Sequence, residues 1–139
     1  MTVLTAIVDT DVFSCLYVLP RGSDPLTSGW KDALADRRVI ISFQTRAEFF
    51  AGARQRGWGT PRVNRLQEIM ARTPTIHSDN DVVDAYVNLS AECRELGHAL
   101  HEKIHTADRW IAACAIAKGL ELFSGDAIFQ GVPNLNVHS

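Results

Sequence analysis

VLTAIVDTDVF, residues 3–13, carries the reading of the fold: an apolar, β-branched run over Val3–Val8 ends abruptly in Asp9-Thr10-Asp11. Such a run reads as a buried strand, and the polar triplet marks its carboxyl end. Four further runs repeat the pattern at Val39–Ser42, Thr75–His77, Leu120–Phe123 and Leu135–Val137. Helical periodicity fills the gaps. It is clearest over Asn80–Leu96, where Val83, Val87, Ser90 and Arg94 mark successive turns, and over Thr106–Lys118, where Ile111, Ala112, Ala115 and Ile116 form one apolar stripe. Further helices are expected over Gln44–Gln55 and Pro61–Ala71, the second with Thr60 as N-cap and Pro61 at its first position. Shorter ones are expected near Asp11–Val18 and Ser28–Ala35. Strands that alternate with helices make a parallel α/β sheet, because parallel neighbours need crossover connections. Ligands of such sheets gather beyond the carboxyl ends of the strands.

The chain has 139 residues, 46% hydrophobic and 22% charged, the size of one domain spanning 1–139 with a sizeable core. Nine glycines and five prolines exclude fibrous and largely disordered classes, and no apolar run is long enough to span a membrane. The start lacks a cationic region followed by an apolar stretch, so a cytoplasmic protein is expected. Cys15, Cys93 and Cys114 are odd in number, far apart and set among apolar neighbours, and read as small core residues. The net charge of −2 is too small for nucleic-acid binding by bulk charge. It is unevenly spread, however: six arginines against two acids give residues 46–72 a charge of +4, leaving −6 elsewhere. Arginines on that hairpin suit backbone phosphates, with a solvated helix face as the plain alternative.

Three acids fall at one rim of the expected sheet. Asp9 ends the first strand, and Asp126 follows the fourth in Leu122-Phe123-Ser124-Gly125-Asp126. Asp108 opens the Thr106–Lys118 helix in register with its apolar stripe, and so points inward. Each has an ordinary alternative as a helix cap, a turn acid or a partner of the helix dipole. Glu48, beside Phe49 and Phe50, reads by itself as a partly exposed surface acid. Carboxylates meeting within about 4 Å would oppose folding by about 4 kcal/mol per pair, and a divalent cation would remove that conflict. All-oxygen ligation suits Mg²⁺ or Mn²⁺ rather than zinc. His98, His101 and His105 have no regular pairing with a cysteine and read as solvated loop side chains.

The acids in this order, with IVDTDVF at 7–13, TRAEFFAG at 45–52, TADRWIAACAIAKG at 106–119 and FSGDAIFQGVPNL at 123–135, resemble PIN-domain nucleases, most closely the VapC-type toxins of toxin–antitoxin pairs. The resemblance implies a three-layer α/β/α domain around a mainly parallel five-stranded sheet. It also implies a catalytic set of Asp9, Glu48, Asp108 and Asp126. In that set Asp9 and Asp108 hold Mg²⁺, Asp126 completes the shell directly or through water, and Glu48 orients or deprotonates the attacking water. Thr10 and Ser124 fall where small hydroxyl residues support the site. The activity implied is metal-dependent hydrolysis of structured RNA, such as transfer or ribosomal RNA. The partners implied are a VapB-like antitoxin whose tail covers the cleft and a second copy of the chain. Phe13, Leu16, Tyr17, Phe49, Phe50 and Trp58 could line a groove for that tail. The chain departs from the pattern in having Asp11, Ala107 and Ile128 where other polar residues are common.

Two other classes compete. Asp-Thr-Asp-Val also resembles the nucleophile motif of haloacid-dehalogenase-like phosphatases, for which Lys118 would be the required lysine. That reading leaves Glu48 and Asp108 without roles. A non-catalytic RNA- or protein-binding module on the same fold is the other.

Overall fold

The computed structural model describes residues 4–20 and 24–139. Its strands are β1 (Thr5–Val8), β2 (Arg38–Ser42), β3 (Thr75–Ile76), β4 (Glu121–Phe123) and β5 (Val137–His138). Its helices are α1 (Thr10–Phe13), α2 (Pro25–Leu34), α3 (Phe43–Gln55), α4 (Thr60–Ala71), α5 (Asn80–Leu96) and α6 (Thr106–Lys118). A π-helical turn over Ser14–Val18 prolongs α1, closed by Leu19 N–H donating to Ser14 O at 2.8 Å.

The sheet has the order β3-β2-β1-β4-β5, and every pair is parallel. Ala6 stands level with Val39 on one side and Glu121 on the other. From β1 the chain winds outward through β2 and β3, then returns to place β4 on the other flank. The winding therefore reverses between β1 and β4, and at such a switch point the loops part to leave a crevice.

Alternate β1 residues feed opposite layers. Ile7 joins Leu122, Ile111, Leu89 and Val82 beneath α5 and α6, whereas Ala6 and Val8 join Ile41, Phe123, Phe13, Trp30 and Leu66 beneath α1, α2 and α4. This is the three-layer α/β/α arrangement, with all three cysteines buried and free.

Several expectations shift. β1 begins at Thr5; Val3 lies outside the described residues. β5 falls at Val137–His138 rather than Leu135–Val137, because Asn134 takes a positive φ of 64° and delays extension. α2 starts at Pro25 instead of Ser28, capped by Asp24. Gly59 rather than Thr60 precedes α4, and Thr60 is already helical. The largest change is in α5: its core-facing residues are Val82, Leu89 and Cys93, while Val83 is 40% and Val87 59% exposed. Val82 and Val83 are adjacent, so only one can face the sheet. The Asp79 cap, which accepts from Val82 N–H at 3.0 Å, fixes that phase. In α6 the expected stripe stands, with Ile111, Ala112 and Ala115 buried and Ile116 half-buried.

Candidate active site

Asp9 leaves β1 at the crevice and is pinned at three atoms. Its N–H donates to Phe123 O of β4 at 3.1 Å, its Oδ1 accepts from Val12 N–H at 2.8 Å, and its Oδ2 accepts from Ser124 Oγ at 2.5 Å. The cap reading holds, since one carboxylate oxygen closes α1, and the other oxygen is left to Ser124 beyond the fourth strand. Ser124 Oγ in turn accepts from Asp126 N–H at 3.0 Å, and Asp126 Oδ1 from Ile128 N–H at 3.0 Å. One serine therefore ties the two strand-end acids together.

Asp9 is 5% exposed, and burial pushes its carboxyl from an ordinary 3.8 up to about 6, against the pull of the Ser124 and Val12 hydrogen bonds; Asp11 and Asp126 push it further. Asp108 is also raised, by burial first and then by Asp126 and Asp11, with the His105 ring pulling the other way. Its side chain is 31% exposed and lies 3.5 Å from His105 Nδ1, so it does not enter the core with the α6 stripe as expected. The Cα–Cβ bonds of a helix slant toward its N-terminus, which turns a first-turn residue back toward the helix start, here to His105, and away from the core stripe. Asp126 itself is exposed. Asp11 and Asp126 thus act on both Asp9 and Asp108, although among the described residues no three acidic, histidine or cysteine side chains sit closely enough to hold a metal ion.

Glu48 reaches this region indirectly. Thr10 Oγ1 donates to Glu48 Oε2, and behind it Thr45 Oγ1 lies 3.0 Å from Thr10 Oγ1 and accepts from Ser42 Oγ at 3.2 Å. Ser42 and Thr45 are fully buried. The hydroxyl protons can all run one way, Ser42 to Thr45 to Thr10 to Glu48, which leaves the carboxylate as the acceptor at the end of the chain. Ser42 and Thr45 escaped the sequence reading; a Ser-x-x-Thr opening a helix right after a strand is the signal that was there.

A hollow of about 350 Å³ opens beside the acids, lined among others by Asp11, Ser14, Cys15, Trp30 and Asp126. Gly125 lets Trp30 close its wall, for a Cβ there would come within 3.1 Å of the indole. The donors around the crevice are carboxylate and hydroxyl oxygens. A small hard cation that keeps several waters and takes one or two carboxylates fits such a set, whereas a dry all-protein cage does not.

The other sequence candidates sort differently. Lys118 Nζ sits 2.6 Å from Asp79 Oδ2, ten residues along α6 from Asp108, or about 15 Å at 1.5 Å per residue. The phosphatase reading therefore lacks its lysine. His98 is not a free loop side chain: Nδ1 accepts from Leu100 N–H at 3.0 Å, and Nε2 lies 2.7 Å from Gln130 O. Within the basic hairpin Arg46 donates to Met70 O at 3.1 Å and covers Phe50, and Arg62 covers Trp58 at 4.1 Å, so both brace packing; Arg54 and Arg56 are exposed.

An all-parallel five-stranded sheet between helical layers, with acids at its β1–β4 switch point, places the chain among doubly wound α/β domains. The PIN domain model matches residues 6–135, and the chain belongs to that family. Comparison with curated proteins finds no match. Among solved structures, VapBC2 from Rickettsia felis bound to a promoter DNA fragment superposes with a TM-score of 0.76 at 20% identity, covering 97% of this chain and 98% of that one. FitAcB from Neisseria gonorrhoeae gives 0.74 at 22% identity, with 97% of each chain covered. VapBC-1 from nontypeable Haemophilus influenzae gives 0.75 at 19%, with 98% of each covered. At these identities the likeness is one of fold.

Proposed function

We propose that this chain, a single PIN domain over 1–139, is a divalent-metal-dependent endoribonuclease and the toxin of a cytoplasmic toxin–antitoxin pair. What supports the reading is the PIN family together with Asp9 and Asp126, which Ser124 joins beyond the ends of β1 and β4; burial first, and then the nearby Asp11 and Asp126, raise the proton affinity of both Asp9 and Asp108. A protein that keeps such a conflict has a cation as its natural resolution.

Asp9 and Asp108 would hold Mg²⁺, with Mn²⁺ able to replace it, and Asp126 would bind beside them. A bound ion would supply charge neutralisation at the phosphate and an acidified water. Asp9 contributes a carboxylate locked in one rotamer by Val12 N–H and Ser124 Oγ. Glu48, receiving the hydroxyl chain from Ser42, is the group to orient the attacking water and take its proton. The half-buried His105 beside Asp108 restrains that carboxylate.

The partner is a VapB-like antitoxin. A groove of about 460 Å³ lies between α1 with its π turn and α4, lined by Phe13, Tyr17, Val39 and Ile69 with Arg65 and Arg72. Glu68 lines it too, so its edge carries two arginines against one acid, and with the apolar floor this suits a tail that mixes apolar and acidic residues. Phe13, packed between Tyr17 and Phe49, is buried and serves the core as well as the groove. A homodimer is part of the same reading. The exposed Val83 and Val87 on α5, one turn apart, are apolar surface that a second copy would cover.

Protein freed of antitoxin should cleave structured RNA with Mg²⁺ or Mn²⁺ and stop with EDTA, while Asp9→Asn should fold and bind RNA but cut it about 10²–10³-fold more slowly. Equal cleavage by that variant defeats the mechanism. RNA binding by the wild type with no cleavage under any divalent ion supports the non-catalytic module instead.

A further inference from the structure

Arg109, next to Asp108 on α6, is a buried cation without an anion. It is 7% exposed, and its guanidinium donates to Leu100 O at 2.9 Å, Glu102 O at 3.2 Å, Tyr86 Oη at 2.8 Å and Thr106 Oγ1 at 3.5 Å, all neutral acceptors. Its Nε is buried and has no hydrogen-bond partner. Among the described residues no carboxylate pairs with it. Only dipoles and the face of the Tyr86 ring, 5.1 Å away, offset this buried charge, so an anion brought against it is favoured.

The side chain lines a pocket of about 500 Å³ that it shares with Ser90, Arg94, Glu95 and His101. Two guanidiniums and an imidazole face one carboxylate there, the reverse of the balance in the acidic crevice. We infer that this pocket is a phosphate site. Resting on the nuclease reading above, it holds an RNA backbone phosphate other than the scissile one. The terminal N–H groups of Arg109 are taken by the protein, so it adds positive charge from behind, while the exposed Arg94 guanidinium and the His101 ring on separate elements are the donors for the phosphate oxygens.

Continuity with the crevice assigns the ligand to RNA. The 3₁₀ turns Ala99–His101 and Lys103–His105 make one short segment. Its Leu100 and Glu102 carbonyls hold Arg109, His101 lines the pocket, and His105 at its end faces Asp108. A strand seated at the acids thus has a second contact prepared along that segment.

Arg94 is exposed on α5, so Arg94→Glu tests the pocket without opening the core. Inorganic phosphate, added to the full chain in EDTA against chloride of equal ionic strength, should raise the melting temperature of the wild type and of Lys31→Glu, an exposed control outside both the pocket and the basic hairpin. Arg94→Glu should lose that response. In RNA binding, the slope of log Kd against log salt should fall by about 0.7 in Arg94→Glu, the value of one lost single-strand phosphate contact. Arg109→Met, where circular dichroism shows it folded, should behave alike; where it does not fold, Arg94→Glu decides. A phosphate response unchanged in Arg94→Glu overturns the site, and a lost response with an unchanged RNA salt slope overturns its assignment to RNA. Absence of cleavage by the wild type would defeat the nuclease reading while leaving the phosphate result to stand on its own.

Discussion

Asp9 and Asp79 are twins in backbone and opposites in chemistry. Both cap a helix from an extended conformation, at φ −77° and ψ 177° and at φ −77° and ψ 179°, and both accept from the amide three residues on. Asp79 stands in solvent with Lys118 Nζ at 2.6 Å, and that hydrogen bond holds its carboxyl below the usual range. Asp9 stands in the crevice with a serine for company and other acids nearby, and its carboxyl is pushed up to about 6. Identical capping geometry therefore decides nothing about function. What separates a structural cap from a reactive one is whether the free oxygen meets a cation of the protein's own or is left for one from outside.

The comparison breaks most sharply at the caps themselves. Asparagine keeps the capping oxygen in both places, so Asp9→Asn should retain the fold and lose RNA cleavage by about 10²–10³-fold, the scale of removing one preorganised electrostatic group. Single-turnover rates on a fixed RNA measure it, and a loss under tenfold would place the chemistry elsewhere.

Acid titration of stability without divalent ions should divide the twins by sign. Asp9 has a folded value above its unfolded one, so its ionised form opposes folding above about pH 6, and protonation relieves this between about 6 and 3.8 by up to about 3 kcal/mol. Asp79, with its folded value lowered, contributes stability that is lost as pH falls. Chemical denaturation of the wild type and of Asp9→Asn, in EDTA across pH 4–8, isolates the first effect: the variant should be the more stable at pH 7, and the gap should close toward pH 4. A constant gap would mean that Asp9 is not held charged in a buried place.

A smaller effect tests the serine. Ser124→Ala removes the donor to Asp9 Oδ2 and should lower cleavage about 10- to 100-fold, as the loss of a ligand's supporting partner does, with the affinity for Mg²⁺ falling in step. Lys118→Met, the matching change at the other twin, should leave the cleavage rate within a factor of two of wild type.

What could be read beforehand follows the same division between local and distant causes. The strand ends at Asp9 and Asp126 and the α6 stripe were legible because each follows from a handful of consecutive residues. The phase of α5 was not: Val82 and Val83 offer two equally apolar stripes, and the choice rests on the Asp79 cap. Asp108 was placed on the correct helix but given the wrong direction, because a helical wheel omits the slant of the Cα–Cβ bond. The Thr10–Glu48 contact spans 38 positions and the Arg109–Tyr86 contact 23, distances over which no periodicity speaks. A buried arginine in the middle of TADRWIAACAIAKG looks like any other polar interruption of an apolar run.

The hydrogen bond from Ser124 to Asp9 joins residues 115 positions apart, across a β1–β4 pair made of the first and fourth strands. That sets a clock on the site. A chain emerging from the ribosome at about 5–20 residues per second finishes β2, β3 and the helix that bears Glu48 well before the partner of Asp9 exists. Non-local parallel pairing is slow to form even then. The crevice is consequently among the last parts of the molecule to be assembled, and an interrupted product that lacks β4 has Asp9 without the serine and the strand that hold it.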